Sequence, residues 1–226
     1  GLNAVVNACY TPLRFWAGKE DAIGLSETGT DIIAAGSGCV DNNMAAYTQS
    51  LDGTNSACTF YFDRFYAAIN WCNTAIFHAQ TVPNPSNDEI LATTLNKREA
   101  EARVLRTFYY WILTETFGDT YYTDQPSTSI VMNPVKTSTD NIYQYMFDDL
   151  DWAIKSKLST LQNDGGRVTI WTAKALKARL LLTRASEKND VDMYGQAYDL
   201  AKDVIENGPF ELAEDFASIW DMKNSD

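Results

Sequence analysis

The sequence predicts an all-α fold: tetratricopeptide-like helical pairs joined by long irregular loops, in a single domain spanning residues 1–226. Three observations carry this. First, Lys97–Phe117 opens on strong helix formers, Glu99 to Arg106, and then sets four aromatics in a row, Phe108-Tyr109-Tyr110-Trp111. At about 100° per residue those rings point to every side, so neighbours must wrap this helix and it is the central one. Second, apolar residues recur at spacings of three and four in the other long segments. Third, Thr169–Ala185 and Asp192–Asn207 read as an antiparallel pair with small residues at the seam. Its spacing is looser than the roughly 34-residue tetratricopeptide repeat, and such pairs stack side by side into a curved scaffold.

In chain order, Leu2–Phe15 reads as a helix with Val5, Cys9 and Leu13 on one face, ending at Ala17-Gly18. Leu25–Ser56 is the least regular segment, rich in glycine (Gly29, Gly36, Gly38, Gly53) and in Asp and Asn. Such a composition marks a long irregular loop, and loops of that length in a compact domain are functional or disordered. Ile32, Ile33, Met44, Tyr47 and Leu51 give this one something to pack with, which favours function. Thr59–Gln80 is helical through Phe62, Tyr66, Ile69, Asn73 and Ile76, and Pro83-Asn84-Pro85-Ser86 breaks the chain after it. Phe108, Tyr109, Trp111 and Ile112 of the central helix are expected to be largely buried. Gly118 is a natural C-cap for that helix, leading to an extended exit.

Ser138 is the N-cap expected for a helix to about Leu158, with Ile142, Met146, Leu150, Ala153 and Ile154 as its stripe. Asp148, Asp149 and Asp151 cluster there, but adjacent residues diverge around a helix, so they read as a solvated acidic face. Gly165-Gly166-Arg167 punctuates. In the helix that follows, Ala173, Ala175 and Ala178 allow close approach of a partner, with Leu176, Leu180 and Leu181 between them. The partner offers Ala197, Leu200, Ala201, Val204 and Ile205, and Gly208-Pro209 stops it.

Glu101-Ala102-Arg103, Leu105-Arg106 and Phe108-Tyr109-Tyr110, followed by Phe117-Gly118-Asp119, resemble the signature helix of SusD/RagB-like proteins, surface glycan-binding lipoproteins of the Bacteroides group. Tyr66, Ile69 and Asn73, then Tyr143, Asp149, Leu150 and Ala153, then Gly166-Arg167 with Ala173-Lys174-Ala175-Leu176 and Ala178-Arg179, are similar to the same family. Tyr121 stands where the family usually has a proline. The resemblance implies a SusD-like fold and non-catalytic binding of an oligosaccharide. It also implies a place at the outer-membrane surface and delivery of the sugar to a TonB-dependent SusC-like porin. Usual members are much longer, so both ends read as cut. Contact with the membrane would come only through an N-terminal lipid anchor absent from this chain.

Composition sets limits. The net charge of −12 disfavours nucleic acid, anionic lipid surfaces and acidic sugars. No apolar run approaches the roughly 20 residues of a membrane span. Cys9, Cys39, Cys58 and Cys72 follow no metal spacing and allow three pairings, among which spacing does not choose. Cys9 and Cys72 fall on apolar faces and read as buried thiols. Cys39 and Cys58 flank the irregular segment, where a bridge could form. His78, the only histidine, reads as a surface or helix-terminal residue without a Ser or acidic relay. No phosphate-cradling glycine loop, metal cluster or cofactor motif occurs. Carboxylates abound by composition alone and define no glycosidase pair. Asn73 reads as an amide bonding a neighbouring loop backbone rather than a ligand.

The residues that suit a sugar are in the irregular loop. Sugars present flat C–H faces to an aromatic and rings of hydroxyls to amides and carboxylates. Tyr47 suits the first; Asp31, Asp41, Asn42, Asn43 and Asn55 suit the second, although residues of this kind also build turns. A helical-repeat adaptor for a peptide or protein is the alternative function, but it has no need of Arg103, Arg106 and Phe117-Gly118-Asp119 together. A toroidal all-α glycoside hydrolase is a third, weakened by too few helix pairs to close a ring.

Overall fold

The computed structural model describes residues 1–17, 20–33, 36, 42–84, 86–160 and 166–221, with the backbone but not the side chains of Ala17, Glu20, Asp21, Ala22 and Asn42. Cys39 and Asp41 lie outside the described residues, as do Gly18, Gly38, Pro85 and Gly165. The chain starts with α1 (Leu2–Tyr10) and α2 (Leu13–Ala17), so the single helix expected over 2–15 is divided. Pro12 divides it, because proline has no N–H for the carbonyl one turn earlier. Two short helices follow, α3 (Glu20–Ser26) leading into the irregular segment and α4 (Asn42–Ala46) within it.

The long helices α5 (Ser56–Thr81) and α6 (Glu89–Phe117) come next, each with an N-cap. Asn55 Oδ1 accepts from the backbone N–H of Ala57 and Cys58; Asp88 Oδ1 accepts from Ile90 and Leu91. Asp88 therefore starts α6 well before Lys97. Gly118 closes it at φ 69°, the left-handed region where a side chain is strained. Two-residue strands β1 (Thr120–Tyr121) and β2 (Lys136–Thr137) pair antiparallel, Thr120 opposite Thr137 and Tyr121 opposite Lys136.

The expected Ser138 cap starts α7 (Thr139–Lys155), and a Thr169/Thr172 capping box starts α8 (Ile170–Lys188). Then come α9 (Val191–Asn207) and a 3-10 turn, Phe216–Trp220. Sequential long helices are neighbours in space, α5 on α6, α6 on α7, α7 on α8 and α8 on α9, while α1 packs across α5 and α6. Among the described residues no helix is long and apolar enough to cross a membrane.

The central position of α6 is visible in its burial, which covers most of the helix surface from Glu99 to Thr114. Ala102, Leu105, Tyr109 and Leu113 meet Ile69 and Cys72 of α5 and Ile142, Met146 and Leu150 of α7 in one core. Tyr109 and Ile112 are buried as expected, but Phe108 and Trp111 are only half-buried. They stand three apart on one helix face, their rings 5.8 Å apart, where no helix covers them fully. Among the seam alanines, Ala173 and Ala178 are buried and Ala175 is exposed. On α9 only Ala197 is buried; Ile205, counted in its stripe, is 77% exposed.

The polar residues of the central helix form an internal ion network. Arg106, 3% exposed, grips Asp149 through two bonds of 2.8 Å and donates to Asn73 Oδ1 at 2.7 Å. Arg103 reaches the same carboxylate at 2.6 Å and Glu99 at 2.7 Å. Glu101 accepts from Tyr10 at 2.7 Å and Arg167 at 2.6 Å, and also pairs with Arg98. Burial raises the Tyr10 phenol well above the tyrosine range, so it stays a donor.

Asn73 completes the web by donating to the carbonyls of Thr123 and Gln125, the loop contact expected of it. The acidic cluster on α7 is not a solvated face as read from sequence. Asp149 is buried in this network and Asp151 pairs with Lys177 at 2.5 Å, leaving Asp148 exposed. The three diverge around the helix, and the two arginines of α6 claim the inward one. Cys9 and Cys72 are buried thiols, and burial together with the neighbouring Cys9 pushes the Cys72 thiol well up. His78 is exposed in the last turn of α5.

Candidate functional site

A hollow of about 700 Å³ opens between the irregular loop and the C-terminal half of α6. Gly24 to Thr28, Met44, Tyr47 and Leu51 form one wall, and Trp111, Ile112 and Glu115 to Phe117 the other. Trp16 of α2 and Arg179 of α8 close the sides. Trp111 and Glu115 share one face of α6, as do Ile112 and Thr116, because residues four apart align on a helix. The wall is thus aromatic and polar by turns. Glu115 Oε1 accepts from Tyr143 at 2.5 Å. The Arg179 guanidinium lies 4.8 Å over the Trp111 ring, and the Trp111 indole N–H is buried without a hydrogen-bond partner among the described residues.

Tyr47 is the best-defined loop side chain. Its backbone is left-handed at φ 48°, uncommon for a residue with a side chain, and the residue is 71% exposed. The hydroxyl donates to the carbonyl of Gly29 at 3.1 Å. Gly29 itself sits at φ 92°, and a Cβ there would lie 2.8 Å from the Met44 carbonyl oxygen and 2.9 Å from the Tyr47 hydroxyl. Glycine is what permits the contact, and the contact holds the ring at both ends with its face open.

Of the residues expected from sequence, Tyr47 is the only one among the described side chains that lines the hollow. Asp31 is exposed on the same loop. Asn43 is half-buried and accepts from Thr48 Oγ1 at 2.6 Å. Asn55 is buried, its oxygen capping α5 and its amide donating to the Ser50 carbonyl at 3.3 Å, so it serves the fold. Asn42 is known here by its backbone in α4 and Asp41 not at all. Ile32 and Ile33, expected to pack the loop, are exposed, leaving Met44 buried and Leu51 half-buried.

Sequence reasoning missed Trp16, Trp111, Glu115 and Arg179. For Trp111 the signal was available: with Glu115 one turn on, its face is not purely apolar. Among the described residues no group of three or more His, Cys, Asp or Glu side chains could hold a metal ion.

Comparison with known proteins fits this architecture. Residues 30–223 match the SusD-like family whose description reads "Starch-binding associating with outer membrane". A SusD-like protein of Bacteroides ovatus is 29% identical over 167 residues, covering 71% of this chain and 30% of that protein. A protein crystallised with a xylogluco-oligosaccharide superposes with a TM-score of 0.78 at 22% identity, over 99% of this chain and 44% of that one. A laminarin-binding SusD-like protein gives 0.75 at 20% identity, over 99% and 49%. The chain therefore spans less than half the length of each of these relatives. The all-α fold is the one these structures share, and the chain belongs to the SusD-like family.

Proposed function

We propose that this chain binds a neutral oligosaccharide in the hollow beside Tyr47, without cleaving it, at the outer-membrane surface. A TonB-dependent SusC-like porin is the partner that would receive the sugar. The observation that carries the proposal is the fixed, open ring of Tyr47 at a hollow that mixes aromatic and charged groups. A sugar ring stacks its C–H face on an aromatic that loses no freedom on binding, and little ordering cost then opposes affinity. Glu27, Glu115 and Arg179 offer acceptors and donors for the hydroxyls. Asp31 and Asn43 remain in the proposal as loop partners, and Asp41 and Asn42 through their sequence position alone. Further support comes from the family description and from the laminarin and xyloglucan ligands named for two structural relatives.

Calorimetric titration of the protein with laminari-oligosaccharides and xylogluco-oligosaccharides tests this. Tyr47→Ala should weaken binding about tenfold, an aromatic pair's worth, with little change in melting temperature. Asp31→Ala should lower affinity and leave the melting temperature in place; the reverse would make it a turn residue. The sugars should be recovered intact by chromatography. Sustained release of shorter sugars, abolished by substituting one carboxylate, would replace binding by hydrolysis.

A further inference from the structure

A second hollow, of about 430 Å³, lies against the first across the C-terminal end of α6. The two share Cys58 and Phe117 as a common wall. Phe62, Tyr121 and Pro134 give the second hollow its apolar surface, with Asp119 and Lys136 beside them. Phe62 is 39% exposed although its ring packs edge-on against Phe117 at 5.4 Å and lies 4.7 Å from that of Tyr66. It is an aromatic held in place and left uncovered.

The polar groups are positioned as well. Tyr121 and Lys136 are paired residues of the β1–β2 ladder, so the strands fix their separation. Asp119 Oδ1 accepts from the Thr139 N–H at 2.8 Å and its hydroxyl at 2.9 Å, which orients the carboxylate and holds its pKa below the usual value.

We infer that this hollow is a second subsite for the same oligosaccharide, taking the sugar units that extend past Phe117 from those stacked on Tyr47. The inference rests on the binding role proposed above for the first hollow. Three features favour a sugar chain as occupant: continuity with the first hollow through Phe117, a second open aromatic, and a fixed acceptor with a cation beside it. A purely apolar ligand would displace water from the exposed Asp119 and Lys136 and offer neither a hydrogen bond in return, a loss that a polyhydroxylated chain avoids.

Gly53 supplies a clean test. It lines the second hollow, carries no positive φ, and a Cβ there meets nothing within 4 Å. Gly53→Leu should fill the hollow without disturbing the fold. Laminari-oligosaccharides of increasing length are titrated into wild type, Gly53→Leu and Phe62→Ala, with the melting temperature of each recorded. In wild type the affinity should rise with length by about tenfold once the chain reaches both aromatics. Both variants should lose that rise and keep the affinity for the shortest binding chain. Should Gly53→Leu fail to fold, Phe62→Ala decides alone, and the converse holds. Unchanged affinity for long chains, or an equal loss for short and long ones, would overturn the second subsite while leaving the first in place. Failure of wild type to bind laminari-oligosaccharides of any length, together with failure to bind the xylogluco-oligosaccharides titrated above, would remove the binding role itself, and this extension with it.

Discussion

Gly29 holds its backbone at φ 92° with the Met44 carbonyl and the Tyr47 hydroxyl where a Cβ would project. Gly29→Ala should therefore displace this part of the loop, at about 1–3 kcal/mol of local strain. Limited proteolysis should then cut the loop faster, and affinity for oligosaccharide should fall although Gly29 need touch no ligand. Tyr47→Phe separates the two duties of the tyrosine: it keeps the stacking face and removes the bond to Gly29. Its affinity should lie between those of wild type and Tyr47→Ala in the same titration. At this scale the sequence was half legible. Glycine and Asx density pointed to the loop, and its aromatic pointed to Tyr47. Which amides serve turns could not be read, because Asn55 satisfying the first turn of α5 and Asp31 facing solvent have the same local composition. Trp16 and Arg179 join the hollow from α2 and α8, and no local pattern brings such distant residues together.

The long helices were legible as elements because their apolar spacing is local information, and so were the caps at Ser138 and Gly118. Errors arose where the deciding contact is non-local. The inward turn of Asp149 is set by two arginines on α6, and the exposure of Ala175 by which face α9 covers. The ion network makes the motif residues of α6 a brace joining α5, α7 and the Thr123–Gln125 segment. Asp149→Ala should cost about 3–5 kcal/mol in denaturant melts, because it removes the carboxylate paired with the deeply buried Arg106 and leaves Arg103 with Glu99 alone. Replacing Arg106 and Asp149 together by apolar residues should cost less than the sum of the single changes.

The exposed Asp119 behaves differently. Its folded pKa is depressed by the Thr139 bonds, so its contribution is present above the unfolded value of 3.8 and is lost as pH falls through the lower folded one. Asp119→Asn should therefore lose less melting temperature than wild type when the pH is taken below 3.8.

Taken whole, the molecule is a stack of helices whose burial is greatest at α6 and thins toward α9. Tyr109, Leu105 and Leu113 are buried on all sides, whereas Tyr198, Ile205 and Val191 of α9 are exposed. Hydrogen exchange on this chain should find the slowest amides in α5 and α6 and markedly faster ones in α9. Equal protection in α9 would show that its face is covered in solution. The architecture was legible in the sequence because an all-round aromatic helix can exist only at the centre of a helical stack. The shape of the hollow was not, since it arises where a loop from one end of the chain crosses α6.

The central claim is that this hollow holds the sugar, and Gly24 allows it to be tested directly. Gly24 lines the hollow, and a Cβ there meets nothing within 4 Å. Calorimetric titration of wild type and Gly24→Leu with laminari-oligosaccharides, at matched melting temperature, is the measurement. Binding by wild type and its loss in Gly24→Leu is the predicted result; equal affinity in the two proteins would contradict the account.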